Sequence, residues 1–248
     1  MKQDQLLLER LYEKVNESFL SPRRGQENKI EAGNKKVQQT IQKYINGGNK
    51  GTLNLSNLIN VTLPDNFVVN GDLLLVDTEI ESLPKGLKVY GTLDASSSSL
   101  LEIPEDLLAH TLKLSHTQIT EFPRLRKYYS LNINTTHVSS IPNNTKCHGD
   151  LTITYTMIEN LPSGLHVEGT LNAAHNMRLQ IIPRDLYVGG SLSVAYTAVR
   201  AIPASVHVGE NLFLSVDRKD RIYGASMADL KQMFPGVQGR IFANPTGR

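Results

Sequence analysis

The sequence predicts an α+β solenoid: a right-handed array of about nine short coils with a parallel β-sheet, a helical N-terminal cap and a short C-terminal cap. Two observations predict it, a period near 20 residues and an alternating apolar pair that opens each period. Units this short cannot bury an apolar face alone, so they must stack on their neighbours. The predicted parts are the N-terminal cap over 1–50, the solenoid over 51–216, and the C-terminal cap and tail over 217–248.

The period is read most easily from one unit, which runs from Gly71 to Tyr90. Each unit carries a proline at the same place, and the prolines are Pro64, Pro84, Pro104, Pro123, Pro142, Pro162, Pro183 and Pro203. The leucine that opens each unit repeats with the same spacing, at Leu53, Leu73, Leu93, Leu112, Leu131, Leu151, Leu171, Leu192 and Leu212. This regularity makes the repeat the first feature that any fold has to satisfy.

The positions within a unit predict how one coil is built. Two apolar residues separated by one residue point to the same face of a short strand. A hydroxyl-bearing turn follows, and a stack of such hydroxyls is expected to tie neighbouring turns together. Proline then bends the chain, a second alternating apolar pair follows, and a glycine marks a tight corner. The turn residues are read as Thr78, Ser98, Thr117, Thr136, Thr156, Met177 and Thr197.

The pattern L-x-L-x-x-T-x-I-x-x-L-P resembles the leucine-rich repeat in its short form of about 20 residues with a Leu-Pro pair, which is typical of bacterial effector proteins. The resemblance covers about 51–216 and implies a binding scaffold. Threonine stands where the family usually has asparagine or cysteine, and the second L-x-V pair replaces a looser segment. Partners vary widely within the family, so the resemblance names none.

Two helices are predicted before the coils. Residues 3–20 place apolar side chains at helical spacing, and residues 30–46 place Ile30, Val37, Ile41, Tyr44 and Ile45 on one side. Both are expected to cap the open end of the solenoid, with docking or self-association as the alternative. The opening residues also resemble those of small phage-encoded proteins.

The other end is expected to carry its own cap. Ser226 and Asp229 form a capping-box pattern before a short helix through about Phe234, and 239–248 adds a last strand and tail. The least regular coils lie at 111–150, where Arg124, Arg126, Lys127, Tyr128 and Tyr129 replace the second apolar pair and the glycine. A rule broken within a regular array indicates a functional patch or local drift.

Composition narrows the class of protein. One cysteine excludes an intrachain disulfide, and no run approaches 18 apolar residues, so we expect no membrane span and a cytoplasmic location, the host cytoplasm for a phage-encoded or injected protein. Residues 51–110 carry nine acidic side chains and two lysines, whereas the two ends of the chain are basic. The acidic coils favour a basic partner or simple solubility, and the solenoid lacks the basic stripe that nucleic-acid binding would need.

The chemistry-bearing residues do not form a catalytic set in the sequence. Cys147 and His148 are adjacent, and a thiol beside an imidazole can act as a nucleophile. Neighbours in a strand point to opposite faces, however, so the pair is expected to diverge. The seven histidines lack metal-ligand spacing within a coil. We therefore predict no enzyme activity, no metal and no cofactor.

The outward positions of the first strands, together with the residues that follow them, form the predicted partner-binding face. Tyrosine and histidine on successive coils offer rigid amphipathic contacts of the kind found in binding hot spots. The predicted partner-binding residues are Lys113, His116, Asn132, Tyr155, His175 and Tyr196. The alternative is that these side chains only cover the strand ends.

Two functions remain open at this point. The first is a non-enzymatic protein-binding module that masks or recruits a macromolecular partner, as a bacterial or phage effector or inhibitor of a host protein would. The second is a structural or assembly protein that associates with itself through its N-terminal helices. The sequence does not decide the oligomeric state.

Overall fold

The computed structural model describes residues 31–125, 128–216 and 225–245. They form a parallel β-solenoid of about eight turns, with a short helix before the first coil. We number the coils 1 to 9 by their opening leucines, from Leu53 to Leu212, so that nine leucines delimit eight complete turns. The repeat and the parallel strands predicted from the sequence are confirmed.

The strands are short, most of them two residues. They are β1 (Leu53–Asn54), β2 (Val68–Val69), β3 (Leu73–Leu74), β4 (Lys88–Asp94), β5 (Leu108–Lys113), β6 (Ser130–Asn132), β7 (Lys146–Cys147), β8 (Leu151–Thr152), β9 (His166–Val167), β10 (Leu171–Asn172), β11 (Tyr187–Val188), β12 (Leu192–Ser193), β13 (His207–Val208), β14 (Leu212–Val216) and β15 (Ile241–Pro245). The helices are α1, described over 31–46, and α2 (Met227–Met233).

The long sheet pairs each opening leucine with the next. Its order is β1-β3-β4-β5-β6-β8-β10-β12-β14-β15, and Leu53 pairs with Leu73 as Leu171 pairs with Leu192. All nine opening leucines are buried in one continuous core. Pairing leucine on leucine keeps the opening leucines on the inner face, because a slip of one residue would turn them all outward.

A second sheet runs along the other side of the later coils. Its order is β13-β11-β9-β7, and it comes from the second alternating apolar pair of each unit. In coils 2 and 3 the separation is lost, because β4 continues through the corner from Lys88 to Asp94 and pairs with β5 on both sides of a register shift.

The corner glycines are required by close approach between coils. A Cβ on Gly91 would meet the Asp72 carboxylate and lie 2.8 Å from the Gly71 carbonyl carbon. The same contact recurs at Gly169, against Asp150 and Gly149. The Asp72 and Asp150 side chains accept the amides of Thr92 and Thr170 in the next coil, so each corner is also stitched by one carboxylate.

The turn hydroxyls act differently from the expectation. Each donates to the carbonyl three residues earlier in its own coil, at 2.7–3.1 Å, and of these six only Thr156 also reaches the neighbouring turn, where it lies 3.1 Å from Asn176 Oδ1. The hydroxyl thereby satisfies a buried carbonyl that the sheet leaves unpaired. The bonds run from Thr78, Ser98, Thr117, Thr136, Thr156 and Thr197 to Leu75, Ala95, Leu114, Ile133, Ile153 and Val194.

Coil 7 corrects the assignment of Met177 to the turn position. Asn176 occupies it and is fully buried, whereas Met177 is 68% exposed. The Asn176 amide donates to Ala173 O at 3.1 Å and to Ile153 O of the preceding coil at 2.7 Å, and its oxygen accepts the Thr156 amide at 2.7 Å. An extra residue in this coil displaced the alignment by one position.

Helix α1 packs on the open end of the core through Val37, Ile41 and Tyr44, and the Tyr44 hydroxyl donates to Asn49 O at 2.7 Å. The prediction of this helix is confirmed, but Ile45 is wrong as a buried member because it is 41% exposed. The predicted helix over 3–20 lies outside the described residues.

The C-terminal elements follow the sequence pattern. Ser226 caps α2 by accepting the Asp229 amide, and the Asp229 side chain accepts the Ser226 amide in return. The Ser226 hydroxyl also donates to that carboxylate, which lowers the pKa of Asp229. Strand β15 pairs with β14 in parallel and continues the long sheet beyond the last repeat.

Candidate functional site

Three of the six predicted binding residues form one stack, which we call the tyrosine ladder: Tyr155, His175 and Tyr196. The rings of Tyr155 and His175 lie 4.7 Å apart between centroids at an interplanar angle of 6°, and those of His175 and Tyr196 lie 4.7 Å apart at 11°. Tyr155 is 56% exposed and Tyr196 is 43% exposed. The spacing follows from the parallel pairing of adjacent coils.

The backbone at these positions is left-handed. The φ angles are +53° at Tyr155, +61° at His175 and +56° at Tyr196. The same turn position has a positive φ at Asn57, at Asp77 and in every coil of the first half, so the conformation belongs to the coil geometry. Asparagine and aspartate tolerate this conformation well, whereas a bulky aromatic side chain is disfavoured there.

The stack leaves the edges of the rings and the two outer faces available, and it covers the inner faces. Each internal face is covered by the neighbouring ring at near-parallel geometry, so the exposed area of the tyrosines lies at the edges and the outer faces. The edges carry two phenol groups with one imidazole between them. Such a row suits hydrogen bonding to a protein surface better than flat stacking of bases, which needs open ring faces.

The other three predicted residues lie apart from the ladder. His116 occupies the same turn position two coils before Tyr155, with Thr135 between them. The Lys113 Nζ lies 3.9 Å from the Asp94 carboxylate, and the Asn132 side chain accepts the Asn134 amide at 2.9 Å. Asn132 therefore supports its own turn, and the structure joins Tyr155, His175 and Tyr196 only.

Exposed apolar side chains lie in the same coils as the ladder. Met157 and Met177 follow Tyr155 and His175 by two residues, and both are exposed. Met177 is the more exposed because the extra residue of coil 7 forms an additional turn at 177–178. Methionine adapts its shape to a partner, so its position beside rigid rings favours a binding surface.

A second stack escaped the sequence reasoning. We call it the histidine ladder: His166, Tyr187 and His207, which face one another in β9, β11 and β13. The ring centroids lie 4.3 Å and 4.6 Å apart at interplanar angles of 5° and 9°. Counting four residues on from Pro162, Pro183 and Pro203 would have found this column, because each member has that place in its unit.

Smaller aromatic pairs occur elsewhere along the coils. His110 stacks on Tyr129 at 4.9 Å, and Phe213 stacks on Phe242 at 4.9 Å near the C-terminal end of the long sheet. Neither extends to a third ring among the described residues. The three-ring stacks are therefore confined to coils 6 to 8.

The Cys147 and His148 side chains diverge, as the strand pattern predicts. Cys147 is buried and its thiol donates to Tyr129 O at 3.1 Å, while His148 is exposed and lies 2.9 Å from the Glu168 carboxylate. Burial raises the pKa of Cys147 to about 11, so the thiol stays protonated near neutral pH. A nucleophilic cysteine needs the opposite shift.

The irregular coils around residue 125 enclose a cleft of about 380 Å³. Tyr128 fills the position that valine takes in other units, is buried, and meets Phe122 edge to face at 5.9 Å. Burial raises the pKa of Tyr128. Arg124 donates to Asn143 O at 3.1 Å, so it links two coils at the cleft, whereas Arg126 and Lys127 lie outside the described residues.

Other site classes find no support in the described parts of the chain. Within 31–125, 128–216 and 225–245, no three His, Cys, Asp or Glu side chains are placed to hold a metal ion. Neither described helix has the length and apolar character required to cross a bilayer. Comparison of the sequence and structure with protein-family models, curated proteins and solved structures finds no match.

Proposed function

We propose that the chain is a non-enzymatic protein-binding module that masks or recruits a macromolecular partner through the tyrosine ladder. The observation that carries the proposal is the row of stacked, exposed rings on a left-handed backbone that suits smaller residues. Tyrosine at such a position is disfavoured by the fold, so a role in binding explains it. Lys113, His116 and Asn132 flank this surface toward the N-terminus.

We also propose that the coils are right-handed leucine-rich repeats of the short Leu-Pro type, used by a bacterial or phage effector or inhibitor in the host cytoplasm. Coil 7 supports the repeat class, because Leu171, Ala173 and Asn176 follow the L-x-L-x-x-N pattern with alanine in place of the second leucine, and Asn176 bridges two coils. A right-handed connection is the one that parallel strands almost always use.

The test compares two matched double variants. Tyr155→Asn/Tyr196→Asn removes both phenols while keeping a residue that accepts the backbone conformation, and Asn57→Ser/Ser97→Asn changes the same turn position in the acidic coils. A protein captured from bacterial lysate by the wild-type chain is identified and purified, and its affinity for each variant is measured by calorimetry.

We expect the ladder variant to bind at least about tenfold more weakly, and the control variant to bind like the wild type. Equal affinity for wild type and ladder variant would reject the ladder as the binding surface. Equal loss in both variants would mean that the acidic coils contribute as much as the rings.

Self-assembly is the second candidate function, and the histidine ladder is the observation that favours it. The N-terminal helix proposed for this role at 3–20 lies outside the described residues. Exposed rings on two separate sheets offer a different route, because a chain with two binding edges can join more than one copy.

A further inference from the structure

The two ladders lie on the same three coils and have complementary compositions. Coil 6 contributes Tyr155 and His166, coil 7 contributes His175 and Tyr187, and coil 8 contributes Tyr196 and His207. The tyrosine ladder therefore reads Tyr-His-Tyr, and the histidine ladder reads His-Tyr-His in the same order. Wherever one column offers a phenol, the other offers an imidazole in the same coil.

The polar atoms of both ladders are available to a partner. Tyr187 is 36% exposed, and among the described residues none forms a hydrogen bond with a phenol or imidazole of either ladder. A phenol donates well to the acceptor nitrogen of a neutral imidazole. The phenol oxygen and the imidazole nitrogen both lie at the edges of their rings. The six rings thus present mutually compatible polar groups that make no hydrogen bond to the described parts of the chain.

The two rows also share one spacing. The centroid separations are 4.7 Å and 4.7 Å in the tyrosine ladder and 4.3 Å and 4.6 Å in the histidine ladder. Both are set by the stacking of coils, so the match persists over all three coils. Two rigid rows with one period can meet in register without distortion of either.

The same two columns match again in coil 2. Asp77 occupies the turn position of the tyrosine ladder, and Lys88 occupies the strand position of the histidine ladder. Both side chains are exposed. An arrangement that sets coil 6 of one copy beside coil 6 of another also brings Asp77 of one copy near Lys88 of the next, an opposite-charge pair.

We infer that copies of this chain associate side by side through a heterologous (head-to-tail) interface. In it, the tyrosine ladder of one copy contacts the histidine ladder of the next copy, and each coil faces the coil of the same number. This inference rests on the proposed function, since it uses the tyrosine ladder as a protein-binding surface and names a second copy as its partner. A two-fold pairing of two tyrosine ladders would place His175 of one copy against His175 of the other copy. The head-to-tail pairing gives every phenol an imidazole.

The test uses the full chain and two defective variants. Tyr155→Asn/Tyr196→Asn removes the tyrosine ladder, and His166→Thr/His207→Thr removes the histidine ladder with residues suited to a strand. Sedimentation velocity over roughly a hundredfold range of concentration measures the association of each protein. Thermal unfolding of each variant separates loss of association from loss of the fold.

We expect the wild type to form species that grow with concentration and each variant alone to remain monomeric. A mixture of the two variants should form a heterodimer and nothing larger, because only one intact junction can form between them. Asp77→Lys should weaken the wild-type association, and a mixture with Lys88→Asp should restore it. Asn57→Lys, an added charge one coil away from that pair, serves as the control.

Three results would overturn the inference: a wild type that stays monomeric throughout, association that survives in either variant, or folded variants that fail to complement each other. The proposed function has a separate outcome. A monomeric wild type that loses a captured protein in the Tyr155→Asn/Tyr196→Asn variant keeps the binding module and rejects self-association. If the Tyr155→Asn/Tyr196→Asn variant keeps both the captured protein and self-association, the proposed function and the self-association inference are both rejected.

Discussion

The first and last coils share one backbone but carry opposite chemistry at the same position. The third residue after each strand of the long sheet has a φ between +53° and +61° in both regions. It is Asn57, Asp77 and Ser97 in coils 1 to 3, and Tyr155, His175 and Tyr196 in coils 6 to 8. Small polar residues are sufficient for this backbone conformation, so the fold alone does not explain the aromatic rings in coils 6 to 8.

The two regions also differ in how the buried turn is satisfied. In the first coils a hydroxyl donates to one carbonyl of its own coil, as Thr78 does to Leu75. In coil 7 Asn176 bonds to its own coil and to the coil before it. The buried turns of the aromatic region therefore contain an amide cross-link between coils that the buried turns of the acidic region lack, and it is the region where a rigid binding surface is proposed.

Replacing Asn176 should have the largest effect on stability. Asn176→Leu leaves the Ala173 carbonyl and the Thr156 amide without partners in the core and removes one of the two bonds to the Ile153 carbonyl. We expect a loss of about 3–5 kcal/mol in the free energy of unfolding. Thr136→Val, which removes one bond to Ile133, should cost about 1–2 kcal/mol. Urea unfolding of both variants measures the difference. Equal losses would mean that the cross-link adds nothing.

The free energy of unfolding should depend on pH through the buried Cys147 thiol of the middle coil. Val89 and Val167 occupy, in coils 2 and 6, the core position that Cys147 occupies in coil 5. Burial raises the pKa of Cys147 from the ordinary thiol value of 9.0 to about 11. Between these values the unfolded chain releases the proton and the folded chain keeps it. The free energy of unfolding should therefore fall as pH rises, by up to about 1.4 kcal/mol per pH unit.

Cys147→Val provides the control for this effect, because valine fits the position in other coils and does not titrate. Urea unfolding at pH 8 and at pH 10 should show a larger loss for the wild type than for the variant. A loss of the same size in both proteins would assign the pH response to other groups.

The coil architecture could be predicted from the sequence because the repeat is a local rule stated many times. Leucine on leucine pairing, the corner glycines and the capping box at Ser226 each follow from spacing within one unit or one turn. The displacement at Met177 has the same origin, since an extra residue shifts an alignment that counts from the proline. The buried Asn176 would have marked the correct position.

The candidate site was harder to predict because it depends on which coils become neighbours. Tyr155, His175 and Tyr196 follow from aligning one column of the repeat, but the exclusion of His116 required knowing that Thr135 interrupts the stack. The histidine ladder was missed because only the outward residues at the first strand and its turn were aligned, although His166, Tyr187 and His207 also share one place in the unit. Ring angles and the destination of each hydroxyl are three-dimensional properties that spacing does not encode.

Substitution of a corner glycine should lower stability by a similar amount in the first and the last coils. Gly91→Ala and Gly169→Ala each place a methyl group against an aspartate carboxylate and the carbonyl carbon of the glycine one coil earlier, at 2.8 Å and 2.7 Å. We expect both to lose about 1–3 kcal/mol in the free energy of unfolding by urea. A clear difference between them would show that coil packing itself varies along the solenoid.

The smallest stability change is expected at the position where the two regions differ most. Tyr155→Asn relieves the left-handed strain, worth about 1–2 kcal/mol, and removes ring stacking on His175, worth about 0.5–1.5 kcal/mol. The two effects oppose each other, so we expect the free energy of unfolding to change by less than about 1 kcal/mol. Urea unfolding beside Asp77→Asn, which keeps a suitable residue at the equivalent position, provides the measurement.

This near-balance distinguishes a structural ladder from a functional one. If the rings existed to hold the coils together, Tyr155→Asn would lose stability in proportion to the lost stacking and Asp77→Asn would not. If the rings exist to bind, stability stays level while association or partner affinity falls. A Tyr155→Asn protein that is much less stable yet retains full binding would reverse this assignment and make the tyrosine ladder part of the fold.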